Sequence, residues 1–516
     1  MRDWKDDQKN LVGICLKYMS RIDEEGEIPM KNVFHVKGDD VIMDATLTIT
    51  PETGLKPVNW APVVKIRYGG TYRYLRIVTK NVFKKALFFI KSMQTDCGNG
   101  FIIFPYINMW GTLKFLYRLS TEYDSIAIRA KELLAVIVSP FFRLFSKHNI
   151  VIYEKFSKLA QDNSFYFFEY CMNELPEEKK KHIFYVIDKR SPDYQAVKKY
   201  DRNVIQFMSL KHMIYAMTME ACVSTDAKVH FYAWQSKPSI VLETIMNKPE
   251  MFLQHGVTAL KKVDRLFGKH SPNPMKWFVV TSKKEKDLVV KEFDYKPEFV
   301  PITGFTRWDV LHDKRDPKDR FILMMPTWRA WLEDVSNEQF QESDYYKAYV
   351  DLISKPELAN MLNENGLYLV LYLHPKFAQY IETFQSVKDD LIRCVPFGQE
   401  PLNEIMMRAE MLVTDYSSVC WDMMFMNKPV VFYQFDRDTY LTAHGSYIDL
   451  EKDLPSDNTR NGDEVLKYMQ DYIDNGFKIK DEYQAKVDSF YAFRDTKNSQ
   501  RTYEYLMRQL EVLRKK

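Results

Sequence analysis

Cysteine is sparse in this sequence and nowhere paired. The six residues (Cys15, Cys97, Cys171, Cys222, Cys394 and Cys420) include no CxxC spacing, which excludes a disulfide framework and a zinc site of the usual spacing and fits a reducing compartment. Long apolar runs are also missing. The best stretch, Leu133 to Phe145, contains Pro140 and Arg143 and falls short of the ~20 residues that cross a bilayer. The opening MRDWKDDQKN carries Asp3, Asp6 and Asp7 with no apolar block after them, so no secretory signal is expected. Neither GxxxxGK[ST] nor GxGxxG occurs, which argues against ATP hydrolysis and nicotinamide chemistry. There is no HExxH, no Cys/His cluster and no convincing metal-diphosphate DxD on a loop, so neither a metal nor another cofactor is expected.

One absence is local. From Gly54 to Thr95 there are nine basic residues and no acidic one. The net charge of +3, from 73 Lys+Arg against 70 Asp+Glu, does not suggest a nucleic-acid binder, yet it conceals this cationic front. Lys65, Arg67, Arg73, Arg76, Lys84 and Lys85 are expected either to face an anionic membrane or polyanion, or simply to line the solvent face of a half-buried strand.

What is present is enough for a large core. Hydrophobic residues make up 46% of the 516 positions and charged residues 28%, and that length corresponds to about three domains at ~100–200 residues each. In residues 1–105 short alternating segments recur, and Val63 to Val78 alternates around Gly69-Gly70, the pattern of a hairpin. A small antiparallel β domain is expected there. Residues 106–148 read as a connecting helical segment, able to lie at a membrane interface or to pack as a core helix. From residue 149 onward, apolar strand-like runs alternate with helix-length polar stretches. Two such series imply two parallel sheets with crossover helices, that is, two Rossmann-like domains facing across a cleft. They are expected at residues 149–272 and 273–516, with the last helix able to cross back to the first.

In such sheets ligands sit at the carboxyl ends of strands. Strand Met251–Gln254 runs into His255-Gly256, an imidazole suited to general-base work beside a residue that lets a ligand approach the backbone. Strand Ile322–Met325 ends in Pro326-Thr327-Trp328-Arg329, where Arg329 can clamp a phosphate and Thr327 donate to one. Strand Tyr368–Leu373 ends in His374-Pro375-Lys376. Strand Met411–Thr414 leads through Asp415-Tyr416 to Ser417-Ser418 at the start of a helix, where hydroxyls and free N–H groups can either hold a pyrophosphate or merely cap the helix. Asp422, four to five residues further on, is placed to accept hydrogen bonds from a ribose.

Together these segments resemble the CDP-glycerol glycerophosphotransferase family, the teichoic acid polymerases and primases. The matching pieces are FLQHGVTALKK (252–262), TGFTRWDVL (303–311), ILMMPTWR (322–329), YLHP (372–375) and VTDYSSVCWDMMFMNKPVVFYQFD (413–436), with AQDNSFYFFEY (160–170) and RDTKNSQR (494–501) as weaker signatures. The resemblance implies a GT-B fold and transfer of a polyol phosphate from CDP-glycerol or CDP-ribitol to a lipid-linked wall or capsule polymer, by a peripheral protein at the cytoplasmic membrane face. It also implies roles: His255 as base, His374 against the diphosphate, Ser417 and Ser418 on the phosphates, Asp422 on the ribose. Thr327, Arg329, Gly304 and Arg307 would be donor contacts. Two other readings stand beside it, a GT-B glycosyltransferase using a nucleotide sugar and an inactive membrane-associated polymer-binding protein.

Overall fold

The computed structural model describes residues 11–18, 27–37, 40–49, 59–68, 71–81, 83–84, 88, 94–107, 111–146, 148–233, 239–271, 274–333, 335–385, 391–396 and 398–515. The chain divides into two compact units. One comprises residues 1–145 together with 208–218 and 232–247, and the other comprises 146–207, 219–231 and 248–516.

The first unit is built on antiparallel strands β1 (Leu11–Tyr18), β2 (Glu27–Pro29), β3 (Lys31–Lys37), β4 (Asp40–Thr46), β5 (Asn59–Tyr68), β6 (Thr71–Arg76), β7 (Thr95–Gly98), β8 (Phe101–Ile107) and β9 (Leu113–Leu119). The sheet runs β2-β1-β5-β9-β8-β7, with β6 also on β5 and β3-β4 as a separate ribbon. The hairpin read around Gly69-Gly70 is β5–β6, with Tyr68 opposite Thr71; the two glycines themselves lie outside the described residues. Strand β5 is covered on both faces: Val64 and Ile66 pack with Ile14, while Ala61 and Val63 pack with Cys15. Arg67, Arg73, Arg76 and Lys84 are exposed, and Lys85 lies outside the described residues.

Lys65 corrects the picture of a purely cationic face. Its ammonium pairs with Glu27 at 2.7 Å, and the Tyr74 hydroxyl donates to the same carboxylate. A window of sequence counts only its own carboxylates, whereas a sheet brings in those of its neighbours.

Helix α1 (Ile126–Phe145) belongs to this unit. It buries Glu132, Ala135 and Ser139, spaced three and four apart on one face. Two later segments, α3 (Leu210–Thr218) and α4 (Ile240–Met246), pack against it. Ser139 Oγ donates to Ala135 O, Tyr232 donates to Glu132 at 2.7 Å, and Phe142 lies 5.1 Å from Tyr215. The segment expected to connect two domains is thus the centre of a helical layer. Its partners lie about 70 to 110 residues downstream, and they interrupt the stretch 149–272 that reads as one continuous domain.

The second unit holds two six-stranded parallel sheets. The first consists of β10 (Ile150–Tyr153), β11 (Ile183–Ile187), β12 (Val204–Gln206), β13 (Ala221–Ser224), β14 (Glu250–Phe252) and β15 (Trp277–Phe278), in the order β12-β11-β10-β13-β14-β15. The second repeats that winding with β16 (Phe321–Met325), β17 (Tyr368–Tyr372), β18 (Ile392–Val395), β19 (Met411–Thr414), β20 (Val430–Tyr433) and β21 (Asn458–Thr459), in the order β18-β17-β16-β19-β20-β21. This is the 3-2-1-4-5-6 Rossmann order in both halves. Trp277–Phe278, expected to open the second series, instead closes the first, with Met251 opposite Trp277. Apolar runs look alike on either side of a domain boundary, and only pairing tells them apart. Helix α6 (Asn498–Arg514) sends Tyr503, Leu506 and Leu510 into the core of the first sheet, and Arg514 pairs with Glu220.

Candidate active site

A cavity of about 360 Å³ lies between the two sheets, lined among others by His255, Gly256, Thr327, His374, Ser417, Ser418 and His444. All but His444, which ends the helix Arg437–His444, come from the carboxyl end of a strand or from the loop that follows it, as the winding dictates.

On the first sheet, β14 continues through Leu253 and Gln254 to His255. Gln254 adopts φ +61°, a conformation that costs a non-glycine residue about 1–3 kcal/mol and persists only where its surroundings enforce it. Here its buried amide donates to Val279 O and to Glu285, and accepts from Thr258 Oγ1. The turn aims His255 into the cavity with 45% of its side chain exposed. Nδ1 lies 3.2 Å from Asp162 Oδ2, and Nε2 lies 3.9 Å from Asp226 Oδ1. Burial opposes charge on this ring, but the hydrogen bond to Asp162 and the Asp226 carboxylate outweigh it, so its pKa lies above the ordinary imidazole value. Gly256 follows. A Cβ there would fall 2.3 Å from Ser418 Oγ, so only glycine lets the His255 loop of one half touch the serine turn of the other.

On the second sheet, His374 follows β17 and stacks on Trp328 with centroids 5.6 Å apart. The Lys376 N–H points at its Nδ1 at 3.1 Å, which fixes the tautomer: Nδ1 accepts, so Nε2 carries the hydrogen. Burial, helped by Lys155 and Lys261, brings its pKa down to about 4. It is a neutral donor at physiological pH. Helix α5 (Val419–Phe425) begins after Ser417 and Ser418, both half-buried, and the Ser418 hydroxyl makes no capping hydrogen bond. Thr327 Oγ1, on the loop after β16, is buried with no hydrogen-bond partner among the described residues, while its N–H donates to Asp415.

Four residues expected at the donor are engaged elsewhere. Arg329 is wholly buried, its guanidinium bonded to Asp415 and Asp436 at 2.8 and 2.7 Å and to Thr327 O. It ties together the loops after β16, β19 and β20 and has no face for a phosphate. Asp422 is 2% exposed and receives Arg307 Nε and Nη2 and Trp308 Nε1 at 2.7–3.0 Å, so its carboxylate is buried on internal donors and does not line the cavity. Arg307 spends its remaining Nη1 on Asp162 at 2.8 Å, making it a buried bridge from the His255 side to α5. Gly304 has φ +78° and packs on Asn498, whose Oδ1 would lie 2.0 Å from an added Cβ; it is a packing glycine.

Two groups that the sequence reading left without a role, Asp162 and Asp226, stand beside His255, and a third, His230, lies behind them with Nδ1 2.6 Å from Asp226 Oδ2. Asp226 lies just past β13, so the strand-end rule was signal enough for it, whereas Asp162 lies well past β10, at the start of the next helix.

The family model and the curated relatives point to one family. The model of CDP-glycerol:poly(glycerophosphate) glycerophosphotransferases matches residues 137–508. The minor teichoic acid biosynthesis protein GgaB of Bacillus subtilis (strain 168) is 28% identical over 391 residues, covering 73% of this chain and 42% of the relative. A teichoic acid poly(glycerol phosphate) polymerase of the same organism is 22% identical over 417 residues, covering 74% of this chain and 52% of the relative. The chain therefore spans about half the length of these two relatives. Among solved structures, a variant of the wall teichoic acid polymerase TagF superposes with a TM-score of 0.52 at 17% identity, covering 76% of this chain and all of that one, which supports the GT-B fold. The chain belongs to the CDP-glycerol:poly(glycerophosphate) glycerophosphotransferase family.

Proposed function

We propose that this protein transfers a polyol phosphate from a CDP-alditol, CDP-glycerol or CDP-ribitol, to the hydroxyl end of a teichoic-acid-like or capsular polymer, releasing CMP. The observation that carries the reading is the shared cavity, with a carboxylate-flanked His255 from one sheet and a neutral, donating His374 from the other. The acceptor hydroxyl attacks the phosphorus that bears the alditol. Its proton passes to His255 Nε2 as the new P–O bond forms, and the bond to the CMP oxygen breaks with its electron pair. Ser417, Ser418 and Thr327 supply donors to the phosphoryl oxygens, and His374 Nε2–H hydrogen-bonds the departing CMP. Catalysis of this kind is positioning plus fixed dipoles, and no cofactor enters the scheme.

The acceptor is lipid-linked in this reading and the protein peripheral, at the cytoplasmic membrane face. Among the described residues no helix is long and apolar enough to cross a membrane. Helix α1, however, exposes Ile126, Leu133, Ile137, Phe141, Leu144 and Phe145, from 56% to 88% each, with Lys131 and Arg143 alongside. That is the composition of an interfacial helix.

The test is incubation of the full chain with a panel of CDP-alditols and UDP-sugars and a lipid-linked primer, reading CMP release and product mass. CMP release with addition of one alditol phosphate per turnover is expected. Preferential turnover of a UDP-sugar, or no turnover of any donor, overturns the reading.

A further inference from the structure

The surroundings of His255 are organised beyond what folding requires. Asp162 is the N-cap of helix α2 (Asn163–Glu174), and its Oδ1 accepts from Asn163 N at 2.7 Å and from Arg307 Nη1 at 2.8 Å. That leaves Oδ2 for His255 Nδ1. The loop carrying Asp162 is itself gripped by buried Glu154, whose carboxylate accepts from the N–H groups of Gln161, Asp162 and Phe165 at 2.8–2.9 Å. The next residue, Asn163, is also fully buried, and its amide donates to the carbonyls of Leu253 and Gln254 at 3.2 and 2.9 Å. Two consecutive residues thus hold both the ring of His255 and the strained backbone that precedes it. On the far side of the ring stands Asp226, too distant from Nε2 for a hydrogen bond but near enough to act on its charge.

From this geometry we infer that Asp162 is a positioning residue for His255, keeping its hydrogen on Nδ1 and presenting Nε2 to the acceptor, while Asp226 compensates the imidazolium that forms. The inference rests on the reading of His255 as the base. The chemistry follows from the placement. A carboxylate on Nδ1 makes Nε2 the basic nitrogen. Arg307, on the other oxygen of Asp162, keeps that carboxylate ionised against its burial. When Nε2 takes the proton, the positive ring lies between two negative groups. The charged groups facing the ring are Asp162 from the α2 cap, Asp226 from the loop after β13, and Lys155 from the loop after β10; only the lysine opposes protonation. His230 acts one step away, through Asp226.

The test compares wild type, D162N, D226N and H255N for CMP release across pH, with CDP-glycerol and a lipid-linked primer, alongside NMR titration of 15N-labelled His255. In D162N, kcat/KM is expected to fall by ~100-fold or more, as when the carboxylate behind a catalytic imidazole is neutralised. Its acid limb and the ring titration should both move to lower pH, because a carboxylate that favoured the protonated ring is gone. D226N should shift both in the same direction with a smaller loss of rate. If H255N abolishes transfer but neither limb nor ring moves in D162N, the inference fails and the base assignment stands. If H255N retains transfer, the base assignment itself fails. Should D162N not fold, the tautomer of neutral His255 in the wild-type protein decides: hydrogen on Nδ1 upholds the inference, hydrogen on Nε2 overturns it.

Discussion

His255 and His374 occupy equivalent places, each just past a strand of its own Rossmann-like sheet, yet their environments are opposite. One ring lies between carboxylates and holds a proton more readily than free imidazole; the other is stacked on Trp328, approached by lysines, and stays neutral down to about pH 4. The same residue type at the same kind of site therefore favours its proton in one half and stays a neutral ring in the other. Environment assigns the role, as it does for paired groups whose pKa values are pushed apart.

The largest test of this contrast is deletion of each ring. His255→Ala should lower the rate of CMP release by ~10²–10⁴, the range for removing a general base. His374→Gln, which keeps an N–H donor and cannot titrate, should retain far more activity than His374→Ala. Equal losses in His374→Gln and His374→Ala would mean that the ring does more than donate. Because His255 must be neutral to accept a proton, kcat/KM should rise with pH through its elevated pKa. No second inflection from His374 should appear above about pH 4. An inflection that disappears in His374→Gln would break the contrast.

The next effect is on stability. Arg307 bridges Asp162, beside His255, and Asp422, on the helix that follows Ser418. Arg307→Met leaves the buried Asp422 and the partly buried Asp162 without their cation, which costs ~3–5 kcal/mol when a buried pair is broken. Thermal unfolding should show a lowered Tm, with Arg307→Lys intermediate because a lysine cannot serve three oxygens in a planar fork. A Tm unchanged in Arg307→Met would remove the bridge from the account of how the His255 side is held.

The bridge also marks where sequence reasoning stops. Both histidines, the Ser417-Ser418 turn and the two winding sheets were legible because each is local: a strand followed by a chemically active residue. Arg307 with Asp422, or Arg329 with Asp436, was not, since those pairs join residues more than 100 positions apart. A buried arginine and a phosphate-binding arginine are the same letter in a string. Likewise the pattern of α1 announced an amphipathic helix, but only packing on Ala135 and Ser139 decides which face is left outside. Asp226 was within reach as a strand-end carboxylate, while Asp162, at the cap of the following helix, was not.

The smallest effect probes the His374 side alone. Thr327 lines the cavity next to Trp328, the residue on which His374 stacks, and its Oγ1 is buried without a partner among the described residues. An unpaired buried hydroxyl costs ~1–3 kcal/mol, so a structural role would make Thr327 a poor choice over valine. If the hydroxyl instead waits for a phosphoryl oxygen, Thr327→Val should leave Tm unchanged or slightly raised while weakening the donor by one hydrogen bond of ~0.5–1.5 kcal/mol, about 2- to 12-fold in KM for the CDP-alditol. The pH limb set by His255 should not move, since Thr327 belongs to the other half. A fall in Tm with no change in KM would show instead that the hydroxyl is structural, and would leave His374 and the two serines as the donors on that side.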